Sequence, residues 1–324
     1  MDEGQAPFAY PTPCHYHPPG AGTIAASATA QPPASPWRHH QPSEGEMDSA
    51  SATSGTEVVS PDSASVRGTD VLFERRGPVA WVTFNRPESR NAMTFAMYEE
   101  LVRICDEVEA APDIRVLVLR GAGEKAFVAG TDISQFRSFT DPQHALDYES
   151  RMDGVLVRLE SLPRPTIAAV RGYAVGGGAG LVLACDLCIC TPDARFGIPV
   201  ARTLGNCLSL NNYARLVDRI GPSRTKEILF TAKLIDAPTA QAVGLANEIV
   251  EPERFEERVT EVAEQIAAHA PITIQVTKEA VRRVQEHRRP PRAEELILRA
   301  YMSEDFREGV DAFHTKRKPE WKGR

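Results

Sequence analysis

Short apolar segments and longer amphipathic segments alternate along residues 71–190. The apolar segments predict β-strands, and the clearest lie at 71–75, 79–84, 116–119 and 166–170. Apolar positions at three- and four-residue spacing predict one helix that begins after Thr94 and a second helix at 143–161. Strand and helix recur roughly every 30–45 residues, which predicts a mixed α/β core that winds in stacked right-handed turns.

Beyond Arg195 the pattern becomes almost wholly helical. Helical periodicity marks seven stretches, at 209–219, 222–231, 238–243, 252–269, 272–287, 291–302 and 303–315. The pair Pro290-Pro291 separates the fifth stretch from the sixth, because proline cannot continue a helix. The pattern therefore divides the chain into a tail at 1–68, an α/β core at 69–255 and a C-terminal helical region at 256–324.

The tail differs from the rest of the chain in composition and in charge. Residues 1–68 are rich in proline, serine, alanine and glycine. Such a segment cannot bury enough apolar surface to offset the entropy lost on ordering, so we expect it to be disordered. The 324 residues carry a net charge of −7, and the first 70 residues contribute −6 of it through eight acids and two arginines. The remainder is near neutral, which argues against a nucleic-acid partner.

Membrane and secretory signals are absent from the sequence pattern. No apolar run approaches the length of about 18–20 residues that crosses a bilayer. The N-terminus also lacks the basic segment and apolar core of a secretory signal. We therefore expect a cytoplasmic protein with no membrane partner.

The cysteines do not suggest a disulfide framework or a metal site. Six cysteines in 324 residues are too few for a disulfide scaffold. Cys185, Cys188 and Cys190 form a C-x-x-C-x-C pattern, but no histidine lies nearby in the sequence as a fourth ligand. We expect buried thiols there and no bound metal.

A glycine run at Gly176-Gly177-Gly178, followed by Gly180, lies between an apolar strand pattern and an apolar helix start. Glycines let the backbone approach a ligand closely, and the first N–H groups of a helix are free to donate to it. Such donors suit a phosphate or a developing oxyanion, but neither common phosphate-binding motif occurs in the run. Close helix–strand packing is the alternative explanation. Four glycines in five residues favour a functional role.

Four segments of the chain together resemble the crotonase superfamily, whose members include enoyl-CoA hydratases and isomerases. They are Asn85–Met93, Ala126–Ile133, Gly172–Gly178 and Glu308–Pro319. The resemblance covers about residues 70–324 and does not fix the reaction. It implies a ββα spiral core, an acyl-CoA thioester as substrate, no tightly bound cofactor beyond the coenzyme A of that substrate, and a homotrimer or dimer of trimers.

The resemblance also implies roles for individual residues. The backbone N–H groups of Thr131 and Gly177 would hold the thioester oxygen as it gains negative charge, each worth roughly 3–4 kcal/mol. The residues that would bind coenzyme A are Arg90, Ala129, Asp132, Ile133, Gly176, Phe313 and Lys316. For Asp132 a helix-capping role is the alternative to a direct role in the reaction. For Lys316 the alternative is a solvated basic helix end.

Two positions depart from the family pattern. Hydratases of the family use two glutamates, and the matching positions here are Gly180 and Val200. We therefore expect decarboxylation, isomerisation or carbon–carbon cleavage rather than two-glutamate hydration, with a non-catalytic CoA-binding protein as the alternative. Cys207 is a candidate nucleophile, although a small core residue is the favoured interpretation. If hydration were efficient, Asp132 or a residue of the 143–161 helix would have to supply the base.

The last two helical stretches bear on assembly. The segments at 293–302 and 303–315 carry apolar faces that a core closed by residue 250 need not cover. Family members bury such faces between subunits, and the resemblance therefore predicts a trimer-based oligomer.

Overall fold

The computed structural model describes residues 67–138, 141–286 and 294–324. The tail predicted at 1–68 therefore lies outside the described residues except for Arg67 and Gly68, and the Pro290-Pro291 break lies outside them as well. The backbone of Arg67 already pairs with Phe73, through hydrogen bonds of 2.9 and 3.1 Å. The described residues all fall in one compact unit of the chain, and the division at residue 255 stays a prediction.

Ten strands of the described chain form two sheets. The strands are β1 (Val71–Arg76), β2 (Val79–Phe84), β3 (Val116–Gly121), β4 (Ala126–Val128), β5 (Thr166–Val170), β6 (Tyr173–Val175), β7 (Leu187–Cys190), β8 (Arg195–Gly197), β9 (Ile235–Asp236) and β10 (Glu248–Ile249). One sheet has the order β1-β2-β3-β5-β7-β10, and the other has the order β4-β6-β8-β9. The parallel strands β3, β5 and β7 are each followed by one strand of the smaller sheet, so the chain adds a strand to both sheets in every turn.

Ten helices accompany the sheets in the described residues. They are α1 (Phe95–Ala110), α2 (Pro142–Ser161), α3 (Gly177–Ala184), α4 (Val200–Thr203), α5 (Leu210–Thr231), α6 (Ala237–Ala242), α7 (Phe255–Ala267), α8 (Pro271–Glu286), α9 (Glu294–Tyr301) and α10 (Glu304–His314). The predicted start of α1 after Thr94 is confirmed, and the Thr94 side chain caps the helix by accepting from the Met97 N–H. The two helical stretches expected at 209–219 and 222–231 are the two halves of α5, and the non-helical backbone of Gly221 (φ 74°, ψ 162°) separates them before Pro222.

The larger sheet is apolar on both faces because helices cover both of them. Along β3, Leu117 and Leu119 join the core that contains α1, whereas Val116 and Val118 join the core that contains α7. Successive strand residues point to opposite faces, so a strand covered twice is an unbroken apolar run. This is the reason why the sequence pattern at 116–119 is continuous rather than alternating.

The C-terminal helices differ from the expectation that their apolar faces are left uncovered by this chain. Tyr301 of α9 and Phe306 of α10 are buried, in a cluster with Phe136, Ala145 and Leu204. Most of this apolar surface is therefore absorbed within the chain, close to α2. Leu296 of α9 and Phe313 of α10 stay exposed, and a larger group of exposed aliphatic side chains lies on α8, at Ile272, Val276, Val281 and Val284.

Candidate active site

A cavity of about 260 Å³ lies where the start of α3 faces the segment after β4. Its wall contains Thr131 and Gly177, the two residues expected to donate their N–H groups. The wall also contains Gly180 and Val200, the two positions where the resemblance places glutamates in hydratases. Residues that are 69 positions apart in the sequence are thus brought to one cavity by the turns of the fold.

Local backbone geometry leaves both N–H groups out of regular secondary structure. Gly177 is the first residue of α3, so its N–H has no acceptor one turn earlier in the helix. Thr131 forms a parallel bridge with Met93, in which the Met93 N–H donates to Gly130 O at 2.9 Å and the Asp132 N–H donates to Met93 O at 2.8 Å. The bridge uses the groups on either side of Thr131, so the N–H of Thr131 itself points away from Met93.

Two glycines of the run, Gly177 and Gly178, are required by close approach. A Cβ on Gly178 would lie 2.1 Å from Val128 O, so this glycine serves helix–strand packing, as the alternative explanation held. A Cβ on Gly177 would lie 2.3 Å from Tyr98 Oη and 3.1 Å from Thr131 Oγ1. Gly177 and Thr131 therefore adjoin each other at the cavity wall, with the Tyr98 hydroxyl beside them.

A cluster of hydroxyl groups surrounds Thr131, and sequence reasoning missed it. Tyr98 Oη lies 2.9 Å from Thr131 Oγ1, and Tyr148 Oη donates to the same oxygen at 3.3 Å. Burial raises the pKa of Tyr98 to about 12 and raises the pKa of Tyr148 as well, so both stay protonated at neutral pH. The Thr131 side chain thus contacts two tyrosine hydroxyls, and this contact is separate from the role expected of its backbone N–H.

Glu149 on α2 is a second feature that sequence reasoning did not single out. It supplies the one acidic side chain among the described residues that line the cavity, and it is only 5% exposed. Tyr301 Oη donates to Glu149 Oε1 at 2.5 Å, and the Ser209 N–H also donates to this carboxyl. Burial raises the pKa of Glu149 to about 7, and the nearby charge of Asp153 acts in the same direction.

The residues expected to bind coenzyme A lie partly in the wall and partly outside it. Ala129, Ile133, Gly176 and Phe313 line the cavity together with the expected N–H donors. Arg90, Asp132 and Lys316 do not line it. The Arg90 guanidinium lies 5.8 Å from the centre of the Tyr173 ring, and Lys316 is exposed just after α10.

The contacts of Asp132 fit the capping alternative. Asp132 Oδ1 accepts from the N–H and the hydroxyl of Ser134, at 3.2 and 2.7 Å, where the 3₁₀ turn Ile133–Ser138 begins. Partial burial opposes ionisation of this carboxyl, but the Ser134 hydrogen bonds and the Arg86 guanidinium hold its pKa below the usual value. Asp132 is therefore an ionised group that stabilises a turn.

The cysteines of the described residues are free thiols. Cys207 lines the cavity, and burial raises its pKa to about 12, which leaves it a poor nucleophile at neutral pH. Cys185, Cys188 and Cys190 are buried in the core. Among residues 67–138, 141–286 and 294–324, no group of three or more side chains is placed to hold a metal ion, and no helix is long and apolar enough to cross a membrane.

Comparison with known proteins places these features in context. Residues 74–324 match the family model described as enoyl-CoA hydratase/isomerase. The chain is 34% identical to short-chain-enoyl-CoA hydratase of Clostridium acetobutylicum over 259 residues, which cover 78% of this chain and 97% of that protein. It is 35% identical to (E)-benzylidenesuccinyl-CoA hydratase of Thauera aromatica over 260 residues, which cover 78% of this chain and 99% of that protein.

Solved structures give the same grouping. A structure of methylmalonyl-CoA decarboxylase in complex with 2-nitronate-propionyl-CoA matches with a TM-score of 0.73 at 30% identity, covering 79% of this chain and 99% of that chain. This structural match, together with the way the chain adds a strand to both sheets in each turn, confirms the expected spiral α/β fold and its C-terminal helices.

Proposed function

This chain belongs to the enoyl-CoA hydratase/isomerase family, and from that premise we propose that it is an enzyme that forms the enolate of an acyl-CoA thioester. The thioester oxygen would accept hydrogen bonds from the N–H groups of Thr131 and Gly177. The observation that carries the proposal is the meeting of these two residues, one on a bridge and one at a helix start, on the wall of one cavity.

The surroundings suit the stabilisation of a growing negative charge. The positive end of the α3 dipole lies at Gly177. Apolar side chains, among them Met152, Leu156 and Ile198, line the same cavity. A medium of low polarity strengthens fixed dipoles, and one such donor is worth about 10²–10³ in kcat at comparable sites.

The proposed reaction class is decarboxylation, isomerisation or carbon–carbon cleavage. Gly180 and Val200 line the cavity without carboxyl groups, which disfavours a mechanism that needs two glutamates. In decarboxylation the bond to the departing CO₂ leaves its electron pair on the α-carbon, and the pair delocalises onto the thioester oxygen. That step needs oxyanion donors but no base. The likeness to methylmalonyl-CoA decarboxylase supports this choice.

Coenzyme A would enter as part of the substrate. Phe313 lies at the cavity wall, whereas Arg90, Asp132 and Lys316 lie outside it. In this proposal the long nucleotide part of the thioester extends out of the cavity and past these three residues. The exposed aliphatic residues of α8 support the further proposal of a trimer-based assembly. Light scattering at micromolar concentration tests it, and a monomeric mass would contradict it.

Hydration is the second candidate reaction. Two of the three relatives named above are hydratases, and Glu149 offers a carboxyl to the cavity. The deciding experiment incubates the purified protein with enoyl-, malonyl-type and aryl-CoA thioesters and identifies products by mass spectrometry. We expect a malonyl-type or isomerisable thioester to be consumed much faster than crotonyl-CoA is hydrated. Efficient crotonyl-CoA hydration would establish the second candidate, and binding without turnover would favour the non-catalytic alternative.

A further inference from the structure

The cavity contains one buried carboxyl that the proposed enolate chemistry has not yet used. We propose that Glu149 is the proton-transfer group of this site, exchanging a proton with the acyl carbons of the bound thioester. This inference rests on the proposed enolate chemistry and names the group that handles its proton.

The face of α2 that carries Glu149 runs along the cavity. Met152 and Leu156 follow Glu149 by three and seven residues, so the three side chains share one helix face, and all three line the cavity. Leu156 Cδ1 lies 3.3 Å from the Cβ position of Gly180. This helix face therefore extends from Gly180, where hydratases of the family have a glutamate, to the carboxyl of Glu149.

The residue before Glu149 contacts the part of the cavity wall that holds the proposed oxyanion donors. Tyr148 places its hydroxyl 3.3 Å from Thr131 Oγ1, and Thr131 in turn adjoins Gly177. Tyr148 and Glu149 thus line the same cavity of about 260 Å³, and Tyr148 contacts the part of it that holds the proposed donors. An acyl chain held by its carbonyl oxygen at Thr131 and Gly177 extends into the part of the cavity that Glu149 lines.

Hydrogen bonds hold the carboxyl in place and connect it to a polar segment. Tyr301 Oη donates to Glu149 at 2.5 Å and accepts from Asn206 Nδ2 at 3.1 Å. Asn206 Oδ1 is buried at the cavity wall and has no hydrogen-bond partner among the described residues. A buried acceptor without a partner at the cavity wall is a position for a substrate or water hydrogen.

The charged and titratable neighbours of Glu149 come from three elements. They are Tyr148 and Asp153 of α2, Tyr301 of α9, and Cys207 and Tyr213 from the segment that leads into and forms the start of α5. None of these groups is a cation, and Arg215 is directed to Asp153 and Glu160. Because burial raises the pKa of Glu149 to about 7, its protonated and its ionised forms are both present near neutral pH.

Glu149 and the α-carbon of the thioester exchange one proton in each direction of the step. As a base, the Glu149 carboxylate takes a proton from the α-carbon, and the C–H electron pair moves into the enolate whose oxygen is held at Thr131 and Gly177. As an acid, it returns that proton to carbon. After loss of CO₂ the same acid protonates the enolate carbon, and the carboxylate regains its proton from water.

The test measures exchange of the α-hydrogens of butyryl-CoA with D₂O by mass spectrometry. We expect the wild-type protein to incorporate deuterium and Glu149→Gln to lose about 10²-fold or more of that rate, with butyryl-CoA binding unchanged. Glutamine keeps an acceptor for Tyr301 and for the Ser209 N–H. The matched control is Asp147→Asn, which removes an exposed carboxyl from the same helix and should exchange like the wild type.

A second variant separates proton transfer from a purely structural role. The Tyr301 hydrogen bond lowers the pKa of Glu149, so Tyr301→Phe should move the lower limb of the pH–rate profile to higher pH. Exchange that is equal in Glu149→Gln and wild type, or a limb that does not move in Tyr301→Phe, would overturn the inference. So would a wild-type protein that binds butyryl-CoA without exchange. A wild type that binds no CoA thioester would instead overturn the proposed function itself.

Discussion

The cavity is bounded by two walls that are built in different ways. The backbone wall consists of residues 129–131 and 175–177, which line the cavity and include the two proposed N–H donors, Thr131 and Gly177. The side-chain wall consists of Glu149, Asn206 and their partner Tyr301, which contact one another through side-chain hydrogen bonds. The first wall depends on chain conformation, and the second depends on residue identity. Substitutions should therefore affect them in different ways.

The largest effect is expected in the backbone wall. Gly177→Pro removes one N–H donor outright, and activity should fall by at least about 10²–10³-fold. Activity is measured on the thioester that the panel identifies, with circular dichroism to confirm folding. The glycine control is Gly154→Ala in α2, where an added Cβ meets nothing within 4 Å and activity should persist. A folded Gly177→Pro protein with full activity would remove Gly177 from the proposed mechanism.

The next effect comes from giving the cavity the carboxyls that its positions 180 and 200 lack. In the double variant Gly180→Glu with Val200→Glu, crotonyl-CoA hydration should rise by about 10²-fold or more, because each acid–base group typically contributes 10²–10⁴-fold. A Cβ at position 180 lies 3.3 Å from the flexible end of Leu156, which has to shift slightly. The two single variants serve as controls. No gain in a folded double variant would mean that these positions do not face the acyl carbons.

The two walls also differ in how far they could be predicted from the sequence. The glycine run, the Thr94 cap and the apolar strands depend on neighbouring residues, so local patterns indicated them correctly. Glu149 and Tyr301 are 152 residues apart and meet only after the chain has wound through the sheets. A glutamate on an amphipathic helix is usually exposed, and no local pattern marks this one as buried.

Short elements and pairings were missed for a related reason. The strand β4 has three residues and was not among the predicted strands, because its partner β6 lies some 47 positions away in the sequence. Tyr98 lies beside the apolar positions of α1, so its hydroxyl at Thr131 was not anticipated. In each case tertiary contacts, rather than local preference, determine the outcome.

The free energy of unfolding of the protein should depend on pH through the titration of Glu149. Native Glu149 keeps its proton up to a pKa of about 7, whereas the usual value is 4.5. The native state thus binds more protons than the unfolded chain between these values, and this group lowers stability as pH rises through them. Glu149→Gln lacks the effect. Its free energy of unfolding relative to wild type should therefore rise by roughly 3 kcal/mol from pH 4.5 to pH 8.

Urea unfolding of both proteins across this pH range measures that difference. Comparison with wild type removes the contributions of other carboxyls, among them Asp132, that titrate in both proteins. Asp147→Asn again serves as the exposed control. A difference that does not vary with pH would mean that the Glu149 carboxyl is far better solvated than its 5% exposure implies.

The smallest effect should separate the two functions of Thr131. Thr131→Val keeps the backbone N–H and the branched shape but removes the hydroxyl that lies 2.9 Å from the buried Tyr98 hydroxyl. Stability should fall by about 1–3 kcal/mol in urea unfolding, because a buried polar group loses its partner. Activity should change little, since the N–H donor remains, and Thr131→Ser should behave like wild type in both measurements. A loss of activity as large as that of Gly177→Pro would instead show that the hydroxyl takes part in the reaction, and the backbone wall would then depend on residue identity as well.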